Sequence, residues 1–349
     1  MARLLLVLTF TTAVGLPAQT VSRGPSHAPK RYAVLLGINE YPAGVPTLKG
    51  SPLNDVELMR DLLVKRLGFP VTNIITLMDR QVTRTNVIAT IRQHLGQAGV
   101  NDVALLYYSG HGIQVNDSLK PRSDGATEPD SLDEALLLWD SDEARATYLL
   151  DDELGLLLDE LPARRTIAII DACHSGSATR ASGDDEVFWS TLGKGAAPRL
   201  PERIDDARAA FLPRRVLLAD TRNVIVAPET LLTTGASVPQ RGHLLLSAAL
   251  DGEVALGGPI TMPDGTRRPL GLFTTALNLA IQASNQRTTM QEIIVAVRRA
   301  VSPVARRIQG APQTPGATGA WTMETLHQVL EIPAPPRIRR PGGRRVRRV

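Results

Sequence analysis

Two apolar runs that end in reactive side chains constrain this chain most. They are Asp102-Val-Ala-Leu-Leu-Tyr-Tyr-Ser-Gly-His-Gly112 and Thr166-Ile-Ala-Ile-Ile-Asp-Ala-Cys-His-Ser-Gly176. Neither run alternates between apolar and polar positions. Runs of this kind belong to strands buried on both faces, as in a parallel sheet covered by helices. Similar strands are expected at about Tyr32 to Ile38, Ile74 to Met78 and His243 to Ala249, with a short one at Leu136 to Trp139. Between them the pattern turns helical. Val56, Met59, Leu62, Leu63 and Leu67 predict a helix from about Asn54 to Leu67, stopped by Gly68. Thr85 or Asn86 can cap a second helix running to about Leu95. Further helices are expected at about Asp151 to Leu161, Gly271 to Ala283 and Thr289 to Val301. Strands alternating with helices make an α/β fold with a mostly parallel central sheet. Right-handed crossovers then gather the strand-end loops on one edge, where open α/β sheets bind ligands.

On that edge the two runs deliver a histidine and a cysteine, the parts of an activated thiol nucleophile. Cys173 is the only cysteine of the chain, so no internal disulfide forms. A thiol reacts as thiolate, and a nearby base must take its proton or depress its pKa from about 8.5. His111, between Gly110 and Gly112, is the candidate. The glycines remove bulk around the imidazole and let the backbone approach a substrate. His174 adjoins the thiol, but consecutive side chains diverge, so His111 is the better base. Taken singly, Cys173 reads as a small buried hydrophobe and His111 as a loop histidine bound to backbone carbonyls. Together, each at a strand end, they favour catalysis. A dinucleotide loop at Gly110 fails, because its third glycine would fall on Val115, and no phosphate-binding Gly-Lys-Ser/Thr follows a strand.

Four segments in order resemble the caspase-like cysteine peptidases, nearest the metacaspase, orthocaspase and paracaspase branch. They are Tyr32-Ala-Val-Leu-Leu-Gly-Ile-Asn39, Leu48-Lys-Gly-Ser-Pro-Leu-Asn-Asp55, Ser109-Gly-His-Gly112 and Asp171-Ala-Cys-His-Ser-Gly176. The resemblance covers about residues 31 to 180 well and 243 to 320 loosely. It implies a caspase-like three-layer α/β/α sandwich and a cysteine endopeptidase. The backbone N–H groups of Gly112 and Cys173 would form the oxyanion hole, and Asp55, Asp171 and Ser109 would line the pocket for the residue before the cut. Carboxylates in a cleft favour guanidinium or ammonium. The resemblance therefore implies peptide or protein substrates cut after Arg or Lys, not after Asp. The competing readings of the acids are structural: Asp55 as a cap or first-turn acid of the helix it starts, Asp171 as a strand-end acid bound to neighbouring N–H groups. The competing function is a catalytically silent caspase-like binding module.

No cofactor is required by this chemistry. Some caspase-like relatives need calcium, and Asp151 and Asp152 match one part of their site, but Arg180 stands where a second aspartate would be expected. The acidic stretch 116–134, with Asp124, Glu128, Asp130, Asp133 and Glu134, could supply oxygens toward the six to eight that calcium takes. The unpatterned segment 177–240 lies where such enzymes carry a processing loop. It holds Arg180, Lys194, Arg199, Arg203, Arg214 and Arg215, so an Arg/Lys-specific enzyme could cut itself there.

The ends have their own signals. Arg3, the apolar run Leu4 to Leu16 and Leu-Pro-Ala18 read as a signal peptide over 1–18, and 19–30 as a linker to a peptidase domain spanning 31–330. Export to the periplasm or exterior is expected, with no membrane span after signal removal. Residues 331–349 form a Pro/Arg-rich tail holding seven arginines after residue 336. The net charge of +4 belongs to that tail, since the remainder is slightly acidic. A solvated basic end is expected, with no specific nucleic-acid partner, and the enzyme is expected to be a monomer.

Overall fold

A computed structural model describes residues 28–42, 45, 47–116, 132–141, 147–172, 243–250, 253–262, 264–319, 321–330 and 332. Their centre is a six-stranded sheet. In chain order its strands are β1 (Arg31–Gly37), β2 (Ile74–Met78), β3 (Val103–Ser109), β7 (Arg165–Asp171), β8 (His243–Ser247) and β11 (Gly316–Gly319). Across the sheet the order is β11-β8-β7-β3-β1-β2. Every pairing is parallel except that of β11 with β8.

The continuous apolar runs occupy the middle of this sheet. All seven residues of β3 are buried, and all but the first of β7. Their side chains still alternate between two cores. Leu105, Tyr107, Ile167 and Ile169 join one core with helices α1 (Ser51–Lys65), α4 (Leu272–Ala283) and α5 (Met290–Gln309). Leu106, Tyr108, Ala168 and Ile170 join the other with α2 (Arg84–His94) and α3 (Asp151–Asp159). A single helical turn, α6 (Leu326–Val329), follows β11. Helices on both faces of a mostly parallel sheet make the three-layer α/β/α sandwich expected from the sequence.

Two smaller sheets flank the working edge. β4 (Gly112–Asn116), β5 (Leu132–Leu136) and β6 (Leu149–Leu150) form an antiparallel sheet directly after the histidine. β9 (Gly257–Thr261) and β10 (Arg267–Gly271) form a hairpin that feeds α4.

Several boundaries differ from the sequence reading. Helix α1 starts at Ser51, with Gly50 at φ 85° as its N-cap, so Asp55 lies in the second turn and does not start the helix. Pro52 did not delay the start, because a first-turn proline gives up an N–H that has no helical acceptor anyway. Thr83, not Thr85 or Asn86, caps α2, its Oγ1 accepting from the Asn86 N–H. Helix α5 continues past Val301 to Gln309 with Pro303 inside it. The strand expected at Leu136 to Trp139 is instead β5, so Glu134 is a buried strand residue and not a loop acid.

Candidate active site

The register of the central sheet brings the two candidate strand ends together. Ser109 of β3 stands opposite Asp171 of β7, and the Gly110 N–H donates to the Asp171 carbonyl at 3.3 Å. The Ile38 N–H donates to the Ser109 carbonyl at 3.0 Å and carries the β1–β3 ladder to the same level. His111 and Cys173 therefore each follow, by two residues, the same rung of the sheet. Cys173 itself lies outside the described residues, as do His174, Arg180, the segment 177–240, most of the acidic stretch and both chain ends.

His111 is buried at the point where the chain leaves β3 for β4. Its carbonyl accepts from the Tyr108 hydroxyl at 2.7 Å and from the Leu137 N–H at 3.0 Å. Its N–H donates to the Tyr41 hydroxyl at 2.8 Å. Gly112, proposed to donate into the oxyanion hole, is the first residue of β4 and is buried.

Asp55 and Asp171 meet on the other face of β3. Their meeting place is the α-carbon of Gly271, the N-cap of α4. A Cβ on Gly271 would run into Asp171 Oδ2 and stand 2.9 Å from Asp55 Oδ2, so only glycine leaves room for both carboxylates. Asp55 Oδ1 accepts the Gly271 N–H at 2.7 Å, and its Oδ2 accepts the Ser109 hydroxyl at 2.9 Å and the Ser51 hydroxyl at 3.4 Å. Asp171 Oδ2 accepts the Thr274 N–H at 3.1 Å and the Thr274 hydroxyl at 2.5 Å. That N–H is one of the unpaired donors of the first turn of α4, so Asp171 caps a helix whose own N-cap has no side chain. The Tyr107 hydroxyl lies 2.7 Å from Thr274 Oγ1 and extends the chain of hydroxyls into the core. Among the described residues no donor reaches Asp171 Oδ1.

The electrostatics of this pair are unusual for carboxylates. Burial, then repulsion from Asp171, drives Asp55 well above the ordinary carboxylate pKa, opposed by the Gly271 N–H and the two serine hydroxyls. Burial raises Asp171 to about 6, opposed by both Thr274 donors. Two buried like charges resist ionising together, so the pair retains a proton above the usual range. Burial, followed by the fields of Asp55 and Asp171, also holds Tyr107 well above the usual phenol value and keeps it a donor. A cation entering between the carboxylates would replace the proton. No other charged side chain hydrogen-bonds to the pair among the described residues.

The structure thus brings together Asp55, Ser109, Asp171 and the His111 loop as the sequence reading grouped them. It adds Ser51, Gly271, Thr274, Tyr41 and Tyr108, which sequence reasoning missed. Only Gly271 and Thr274 carried a local signal: a helix start with a threonine in its third position but no acid in its first turn. For calcium, Asp151 and Asp152 lie in the first turn of α3, yet among the described residues no three acidic, histidine or cysteine side chains group to hold a metal ion. No described helix is long and apolar enough to cross a membrane.

Comparison with known proteins agrees with the geometry. Residues 30–325 match the family described as Caspase domain. Metacaspase-1A of Aspergillus oryzae is 33% identical over 194 residues, covering 53% of this chain and 43% of that protein. Metacaspase-4 of Arabidopsis thaliana is 34% identical over 152 residues, covering 42% of this chain and 34% of that protein. These matches span less than half the length of the curated relatives. A crystal structure from Geobacter sulfurreducens shares the fold at a TM-score of 0.51 with 23% identity, covering 85% of this chain and 98% of that one.

Proposed function

This chain belongs to the caspase-domain family, on its metacaspase branch, and we propose that it is a cysteine endopeptidase that cuts peptide bonds after Arg or Lys. The observation that carries the specificity is the buried carboxylate pair around Gly271, beside the strand end that leads to Cys173. The first carboxylate is committed on both oxygens to Gly271, Ser109 and Ser51, and is thereby held rigid. The second has one oxygen committed to Thr274 and one that accepts no hydrogen bond from a described residue. A guanidinium or ammonium gains charge-assisted hydrogen bonds from such an acceptor. An Asp side chain would bring a third carboxylate beside a pair that already resists full ionisation.

In this reading His111 takes the proton from the Cys173 thiol, and the thiolate attacks the scissile carbonyl carbon. The N–H groups of Gly112 and Cys173 receive the oxyanion, a contribution of about 3 kcal/mol per donor. Collapse of the intermediate breaks the C–N bond, with His111 protonating the departing amine. Water, deprotonated by His111, then hydrolyses the thioester. These steps call for no cofactor. The N-terminal pattern of residues 1–18 supports export, and a thiol outside a reducing compartment calls for reductant in assays.

The test is a panel of fluorogenic peptides ending in Arg, Lys or Asp, offered with calcium and with chelator. Turnover of the Arg and Lys peptides by wild type, lost in Cys173→Ala and His111→Ala, is expected in both conditions. Turnover of the Asp peptide alone, or none at all, refutes the specificity or the activity respectively.

A further inference from the structure

We propose that Tyr41 is a positioning residue for the catalytic base, holding the His111 backbone and ring from a loop of its own. The proposal rests on the cysteine-peptidase reading above. Four features of the loop that follows β1 carry it.

First, the Tyr41 hydroxyl accepts the His111 N–H at 2.8 Å. His111 is 2% exposed, so this donor has no water to turn to and needs a protein acceptor. With Tyr108 and Leu137 on the carbonyl, both backbone groups of His111 are held, which fixes where its side chain emerges. Second, the Tyr41 ring packs against the imidazole, centroids 5.0 Å apart and tilted 46°. One residue therefore restrains both the backbone and the ring of the base.

Third, Gly110 is shaped to admit this contact. A Cβ there would lie 2.5 Å from the Tyr108 hydroxyl and 2.8 Å from that of Tyr41. The glycine before the histidine thus makes room for two phenols, and substrate access is not its only use. Fourth, the Tyr41 loop is itself anchored. Asp79, held at φ 45° where a non-glycine residue is strained, accepts the Asn39 and Glu40 N–H groups at 2.8 and 2.9 Å. Asn39 in turn accepts the Leu48 N–H through its carbonyl and the Gly50 N–H through Oδ1. Loop strain of this kind persists where surrounding contacts over-determine a geometry.

The experiment uses the full-length enzyme on an Arg peptide. Tyr41→Phe keeps the ring beside the imidazole and removes the acceptor. Its kcat is expected to fall about 10- to 100-fold with KM within twofold, the size of loss that misplacing a reacting group by a fraction of an ångström produces. Alkylation of Cys173 by iodoacetamide at pH 7 should slow in parallel, which a loss of substrate contacts would not cause. Tyr41→Leu, which removes the ring contact as well as the acceptor, should lower kcat further than Tyr41→Phe. Tyr32→Phe, a buried tyrosine beside His94 at the far end of β1, controls for loss of a hydroxyl as such. Unchanged kcat in both Tyr41 variants, equal losses in kcat and 1/KM, or the same loss in Tyr32→Phe overturns the proposal while leaving the peptidase reading intact. Absence of wild-type turnover overturns the reading beneath it.

Discussion

Replacing Asp171 by asparagine should make the protein less active but more stable at alkaline pH. Burial pushes the folded carboxyl up to about 6, against about 3.9 in an unfolded chain. A raised carboxyl pKa stabilises the fold fully below the unfolded value, and that contribution disappears as pH climbs through the folded value. Between about pH 4 and 7 the wild type therefore loses about 3 kcal/mol, from two pH units at about 1.4 kcal/mol each. Asparagine cannot ionise, yet its carbonyl can still accept the two Thr274 donors now bound to Oδ2. It also removes the repulsion that raises Asp55. About 1 kcal/mol of the wild-type loss has already occurred by pH 4.5, so the stability difference between Asp171→Asn and its parent should grow by about 2 kcal/mol in the variant's favour from pH 4.5 to pH 8. Urea unfolding in a Cys173→Ala background reads this as a relative midpoint shift of about 0.7 M, for a slope near 3 kcal/mol per M. The comparison across pH cancels whatever the asparagine costs in packing. A difference that stays constant between the two pH values would refute the argument that the carboxylate pair is charged at the expense of the fold.

Three other substitutions or comparisons probe the same site. Gly271→Ala should cost about 1–3 kcal/mol by overpacking and should reduce Arg-peptide turnover at least tenfold, since its Cβ meets Asp171; melting and kinetics report the two effects. Thr274→Val deletes a hydroxyl 2.5 Å from Asp171 and should cost about 1–3 kcal/mol at pH 8, with a smaller cost at pH 4.5 where the acid is protonated. Incubated wild type should cut itself within 177–240 at Arg or Lys, as read by gel and mass spectrometry; identical fragments from Cys173→Ala would exclude self-cleavage.

Much of this architecture was legible because the central strands are buried on both faces and so read as unbroken apolar runs. Leu105, Leu106, Ile167 and Ile169 announce β3 and β7 without help from context. The hairpin β9–β10 was not legible, because its strands are rich in glycine and arginine and pair Pro259 with Pro269. Such sequences have low strand propensity and hold together by tertiary contact, here the bond from Asn54 to the Pro269 carbonyl. β5 escaped for a related reason: Asp133 and Glu134 sit inside it and read as loop acids. Within the site, Asp55 and Asp171 were accessible through the segments around them. What they touch was not, since Gly271 is 216 positions from Asp55 and no local pattern joins them. The same holds for Tyr41 and His111, 70 positions apart. Sequence periodicity fixes which face a residue presents, but long-range hydrogen bonds depend on where loops land.

The most direct test of the central claim is covalent capture. Wild-type protein, treated with an arginine-terminated peptidyl fluoromethyl ketone under reducing conditions and measured by intact and peptide mass spectrometry, should carry one adduct, on Cys173. The adduct should form far more slowly in His111→Ala and Asp171→Asn, and an aspartate-terminated ketone should leave wild type unlabelled. Labelling elsewhere, no labelling, or equal labelling by the two ketones would contradict a Cys173 nucleophile served by His111 and directed to basic residues by Asp55 and Asp171.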